Sequence, residues 1–156
     1  AGYPERGDNW GLSRLVERAA LGDTTFKVSA RPLDAILDEH GADQVDLLKM
    51  DIEGAEELAL RGMRAGLARH RYCRILLEVH PTILAERGRT VLGALHLLMQ
   101  AGYRAWWIDH SLAGTRRAAY CRSLKPRDFL RPEDFAQDLG AWPHMLWLSP
   151  GLELLI

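Results

Sequence analysis

The chain has 156 residues, 47% hydrophobic and 26% charged, enough apolar content for one packed domain and too much for global disorder. Its 20 basic and 21 acidic residues nearly cancel, and the sequence pI of about 6.7 excludes a dedicated nucleic-acid backbone binder. The two cysteines form no CxxC pair, and no apolar run approaches the roughly 20 residues of a membrane helix. The first residues lack the basic leader and apolar stretch of a signal peptide, so a reducing, cytoplasmic setting without membrane contact is expected.

Residues 1–11 are rich in glycine and proline and read as a loop, followed by a short amphipathic stretch from Leu12 to Ala20. Thr24 to Val28 is β-branched and aromatic with alternation, the pattern of a strand. Pro32 opens a short helix, Leu33 to Glu39, with Leu33, Ile36 and Leu37 on one side and Gly41 as its stop. Val45 to Met50 is short and mostly apolar, which suits a buried parallel strand. Gly54 follows it, then a helix with Ala55, Leu58 and Ala59 on one face, closing at Gly62. A further helical turn over Met63 to Arg69 is expected.

Arg74 to Val79 is the next buried strand. A single helix from about Ile83 to Ala101 carries Val91, Leu95 and Leu98 on one stripe, and Gly102 ends it. Tyr103 to Ile108 is a third strand of this run. Residues 109–141 read as irregular, and Met145 to Leu148 as a closing strand. Strands alternating with helices predict a single α/β domain around a mostly parallel sheet. Ligands of such sheets bind at the carboxyl ends of the strands.

Chemistry-bearing residues fall at two of those ends. Asp51 and Glu53 follow the Val45 strand, and Glu78 and His80 close the Ile75 strand. Each is an i, i+2 pair, so an extended chain points both members to one side. Gly54 lets the backbone turn sharply into its helix. Each residue also has a structural reading. Asp51 can cap a helix, Glu53 can complement its dipole, Glu78 can be a hydrogen-bonded structural carboxylate, and His80 can be a satisfied loop histidine. Glu56 and Glu57 read as solvated helix charges, and the remaining histidines show no ligand spacing.

Leu48-Lys49-Met50-Asp51-Ile52-Glu53-Gly54-Ala55-Glu56 resembles the "IKIDVEGAE" signature of FkbM-type methyltransferases. Leu60-Arg61-Gly62 is similar to the Leu-x-Gly that follows it there. Leu76-Leu77-Glu78-Val79-His80-Pro81 resembles the later "LLEIHP" segment, and Pro32 to Leu37 the earlier "TLDDLL" element. The four stand in the family's order over roughly residues 25–110.

The resemblance implies a Rossmann-like class I methyltransferase sheet. The Val45 and Ile75 strands would be its fourth and fifth, and the last two strands would form an antiparallel C-terminal edge. It further implies S-adenosylmethionine as donor and a hydroxyl of a small metabolite or sugar as acceptor. The sequence contains no GxG, and no strand, glycine loop and helix precede residue 25. The donor-binding N-terminal strands are therefore expected to be missing, and the chain is not expected to work alone.

Under the resemblance His80 is the first candidate base, since imidazole exchanges protons near neutral pH. Asp51 and Glu78 would join it in catalysis. Asp51 and Glu53 would orient the acceptor, line the donor pocket, or hold a divalent metal. Two other readings stand beside methyl transfer. One is a degenerate α/β module that forms a homo-oligomer through an open sheet edge. The other is a metal-dependent enzyme built on Asp51, Glu53, Glu78 and His80.

Overall fold

The computed structural model describes residues 27–120, 130–132 and 143–154. Helix α1 (Leu33–Glu39) is followed by β1 (Leu48–Met50), then by α2 (Glu56–Arg61) and α3 (Arg64–Ala68). Strand β2 (Arg74–Glu78) leads into α4 (Pro81–Glu86) and α5 (Val91–Gln100). Then come β3 (Arg104–Ile108), α6 (Leu112–Tyr120), β4 (Leu130–Pro132) and β5 (His144–Leu148). The expected strand over Thr24–Val28 falls largely outside the described residues, and Lys27 and Val28 have no regular structure.

The sheet has the order β1-β2-β5-β3-β4. The expectation of a mostly parallel sheet is corrected to a mixed one. β1 and β2 pair in parallel, extended by an isolated bridge between Val45 and Tyr72, while β2–β5, β5–β3 and β3–β4 are antiparallel. The expected antiparallel edge is corrected as well. β5 is antiparallel but lies between β2 and β3, and this insertion makes both of its ladders antiparallel. β1, β2 and β3 still run in one direction.

Side-chain alternation along β2 explains how the sheet carries both core and site. Ile75, Leu77 and Val79 are fully buried, while Leu76 and Glu78 are half-buried on the other face. Across the β2–β5 ladder Ile75 faces Trp147 and Leu77 faces Met145, so both strands give the same face to one core. Leu60, Met63 and Leu67 from α2–α3 and Leu95 and Leu98 from α5 fill it. Each such burial stabilises by roughly 1.5–3 kcal/mol relative to exposure.

Three further elements depart from the sequence reading. The helix expected from Ile83 to Ala101 is two helices, broken at residues 87–90, where Gly88 has φ +66° and Thr90 caps α5 by accepting from Gly93 N at 3.0 Å. A threonine that captures the next backbone donor starts a new helix rather than continuing the old one. Within the stretch expected to be irregular, α6 forms and β4 pairs with β3.

Behind the sheet, a polar network fastens α1. Asp34 is buried and accepts from Gly66 N at 2.8 Å and from the Tyr72 hydroxyl at 2.6 Å. Tyr103 donates to the Tyr72 carbonyl at 2.8 Å, and buried Arg71 reaches the Asp34 carbonyl and the Asp38 carboxylate. Burial pushes the Tyr72 phenol up, reinforced by its bond to Asp34, and burial likewise raises Tyr103. A side chain at Gly66 would run into Asp34 and Tyr72, so this position needs glycine for space rather than for backbone angle.

Candidate active site

β1 and β2 pair in parallel, and the chain leaving each one carries the candidate site residues. After β1 the backbone reverses at Glu53 (φ +50°) and Gly54 (φ +83°), both left-handed. For Glu53 this conformation costs about 1–3 kcal/mol. A Cβ at Gly54 would collide with Ile83, and Arg87 donates to the Gly54 carbonyl at 2.6 Å, so the turn is pinned from α4. After β2, Pro81 opens α4 and leaves His80 at its cap.

The structure brings all four expected residues together around His80. Its ring is 4% exposed. Nε2 lies 3.5 Å from Glu53 Oε2, 3.8 Å from Glu78 Oε1 and 4.0 Å from Asp51 Oδ1. Asp51 also pairs with exposed Lys49 at 3.2 Å. The i, i+2 argument holds for Glu78 and His80. Asp51 and Glu53 converge by a different route, because the left-handed turn, not an extended chain, brings Glu53 back.

Glu56 is a correction to the sequence reading. Expected on a solvated helix face, it is fully buried. Its Oε1 lies 2.9 Å from His80 Nδ1 and accepts from Gly54 N at 2.9 Å. A carboxylate oxygen facing a ring nitrogen accepts, so in this contact Nδ1 is the donor and Nε2 is turned toward the other carboxylates. Oε2 has no hydrogen-bond partner among the described residues. The available signal was position: Glu56 is the first helical residue after a strand-end turn, where a side chain can fold back under the strand ends. Glu57, by contrast, pairs with Arg61 and with Arg89 at 2.7 Å near the surface.

His144 is the second residue that sequence reasoning missed. It stands opposite Glu78 in the β2–β5 register, and its Nε2 is 3.1 Å from Glu78 Oε2. Its ring packs on His110 with centroids 4.2 Å apart. Glu78 thus bridges His80 and His144, one through each oxygen. Nothing local in the sequence gives this contact, because it depends on strand order.

Carboxylates gathered around one oriented, buried imidazole at the strand ends of an α/β sheet make a candidate acid–base site at the place where such sheets bind ligands. The family model described as Methyltransferase FkbM domain matches residues 4–105, and the chain belongs to that family, whose chemistry is methyl transfer. No curated protein and no solved structure gives a match in the same comparison.

Proposed function

We propose that the protein takes part in methyl transfer from S-adenosylmethionine to a hydroxyl of a small metabolite or sugar, not through these 156 residues alone, with His80 as the base. The observation that carries the reading is the orientation of His80. Glu56 holds Nδ1, which leaves Nε2 facing the carboxylates at the strand ends. The reading takes β1 and β2 as the fourth and fifth strands of a Rossmann-like class I sheet.

The residues present fit the polar end of the donor. Asp51 is exposed and Glu53 half-buried at the end of β1, and their carboxylates can accept from hydroxyl or ammonium groups and face a positive sulfonium. When bound, the donor supplies the methyl: the acceptor oxygen's electron pair forms the new O–C bond and the pair of the S–C bond returns to sulfur. The chain's own residues handle the proton. Nε2 takes it from the acceptor hydroxyl, and Glu56 stabilises the resulting imidazolium through Nδ1. Glu78, held by His144, orients the acceptor from the other strand.

Calorimetric titration with S-adenosylmethionine and S-adenosylhomocysteine tests donor binding, followed by a methyl-transfer screen on hydroxylated acceptors. Saturable binding lost in Asp51→Ala would mean that the donor site is complete within these residues, and in an active preparation His80→Ala is expected to reduce transfer about 100-fold to 10,000-fold. Transfer that survives His80→Ala would remove the base assignment. Absence of donor binding in the unaltered chain would favour the second reading, association through a sheet edge. That reading rests on the outer side of β1, which pairs with no strand among the described residues.

A further inference from the structure

We propose that Asp51, Glu53 and His80 form a binding site for a divalent cation of the Mn2+ class. One ligand atom from each of the three lies within 4.8 Å of the others. The separations decide between two kinds of contact. At 3.5 and 4.0 Å from Nε2, the oxygens of Glu53 and Asp51 are too far for good hydrogen bonds. Two atoms that each sit about 2.0–2.2 Å from one ion are separated by roughly 3–4 Å, which is the spacing observed.

The buried imidazole is an independent observation pointing the same way. His80 is almost wholly shielded, yet Nε2 makes no hydrogen bond to any described residue. It faces the oxygens of Glu53, Glu78 and Asp51 at 3.5, 3.8 and 4.0 Å, a separation that leaves room for a cation between them. On the far side of the ring, Nδ1–H is held by a buried carboxylate. That carboxylate–imidazole pairing is how proteins fix the tautomer and orientation of a metal-ligating histidine. Lys49, exposed, is the one lysine or arginine paired with Asp51 or Glu53 among the described ion pairs.

The donor set selects the ion. Two carboxylates and one imidazole, with no thiolate, suit a hard to borderline divalent cation, and Mn2+ is the member of that class used as the probe. The site belongs to the cluster read above as the acceptor-activating centre, but its occupancy rests on geometry and not on methyl transfer. In the loaded state Nε2 is a ligand rather than the base. The ion would acidify a bound hydroxyl there, and Glu78, 3.8 Å from Nε2, would be the carboxylate placed to receive the proton.

The test is titration of the metal-free chain with Mn2+, followed by calorimetry and by pulsed electron paramagnetic resonance to detect nitrogen coupled to the ion. Saturable binding at one site with a single imidazole nitrogen coupling is expected. Binding should be lost in Asp51→Asn/Glu53→Gln and weakened about 10-fold to 100-fold in Glu56→Gln. Circular dichroism shows whether each variant is folded, and Glu57→Gln should bind as the unaltered chain does. Absence of saturable binding, binding without nitrogen coupling, or binding unchanged in the folded double variant would each overturn the proposal. Methyl transfer by a chain that binds no Mn2+ would also overturn it while leaving His80 as the base. Mn2+ binding by a chain that transfers no methyl would uphold the site independently of the methyl-transfer reading.

Discussion

Nδ1 of His80 and Oε1 of Glu56 lie 2.9 Å apart, and neither side chain has meaningful contact with solvent. The same oxygen also receives the Gly54 amide. One carboxylate therefore sets the imidazole tautomer and closes the turn that returns Glu53 to the site. Local geometry and reactivity are coupled through a single atom.

Glu56→Gln separates these two tasks. The amide keeps the volume and one acceptor oxygen but loses the charge. Methyl transfer should fall about 10-fold to 100-fold, mostly in kcat, with little change in thermal midpoint. Steady-state kinetics beside a melting curve check it. A large loss of stability with unchanged kcat would mean that Glu56 serves the fold alone.

Glu53→Gly should act in opposite directions on stability and activity. Glycine accepts the left-handed conformation that Glu53 holds at φ +50°, so unfolding should become harder by about 1 kcal/mol. Ligand binding at the strand ends should weaken with the loss of the carboxylate. Denaturant midpoints and donor titration measure the two effects, and a destabilised variant would contradict the strain argument.

Gly66→Ala tests the network behind the sheet. The added methyl meets Asp34 and Tyr72, which are hydrogen-bonded to each other and have no free space to retreat into. A loss of about 1–3 kcal/mol is expected from overpacking, read by chemical denaturation.

Alkaline pH should destabilise the protein through Tyr72 and Tyr103. Both phenols are raised in the folded state, chiefly by burial, so their neutral forms are the ones the fold favours. Their contribution is complete below the ordinary tyrosine value of about 10 and is lost as pH rises toward the folded values. Melting temperature should therefore drop steeply above about pH 10, with phenolate absorbance appearing together with unfolding. Tyr72→Phe should flatten that drop, at the cost of leaving Asp34 without one donor.

The site was legible in the sequence where it follows strand ends. Asp51, Glu53, Glu78 and His80 each sit just past a short apolar run, and the sheet gathers whatever its strand ends carry. Glu56 was not legible, because a helix-starting glutamate beside Glu57 has the same local pattern whether it faces water or folds under the sheet. The break between α4 and α5 was hidden by continuous apolar spacing on either side of Gly88, although that glycine and Thr90 were the available signals. His144 was invisible for a different reason. Which strand lies next to β2 is a long-range property, and residue spacing within β5 says nothing about it.

The insertion of β5 between β2 and β3 has a consequence for how the protein comes into being. β2 and β3 are made early and β5 much later, yet neither of the first two pairs with the other; each is bonded to β5. As the chain emerges from a ribosome, Glu78 must wait for His144 before that contact can form. Such distant pairing slows folding and leaves two strand edges open in the interval. A nascent chain halted before residue 144 is thus the form most prone to aggregate, and the form most in need of a chaperone.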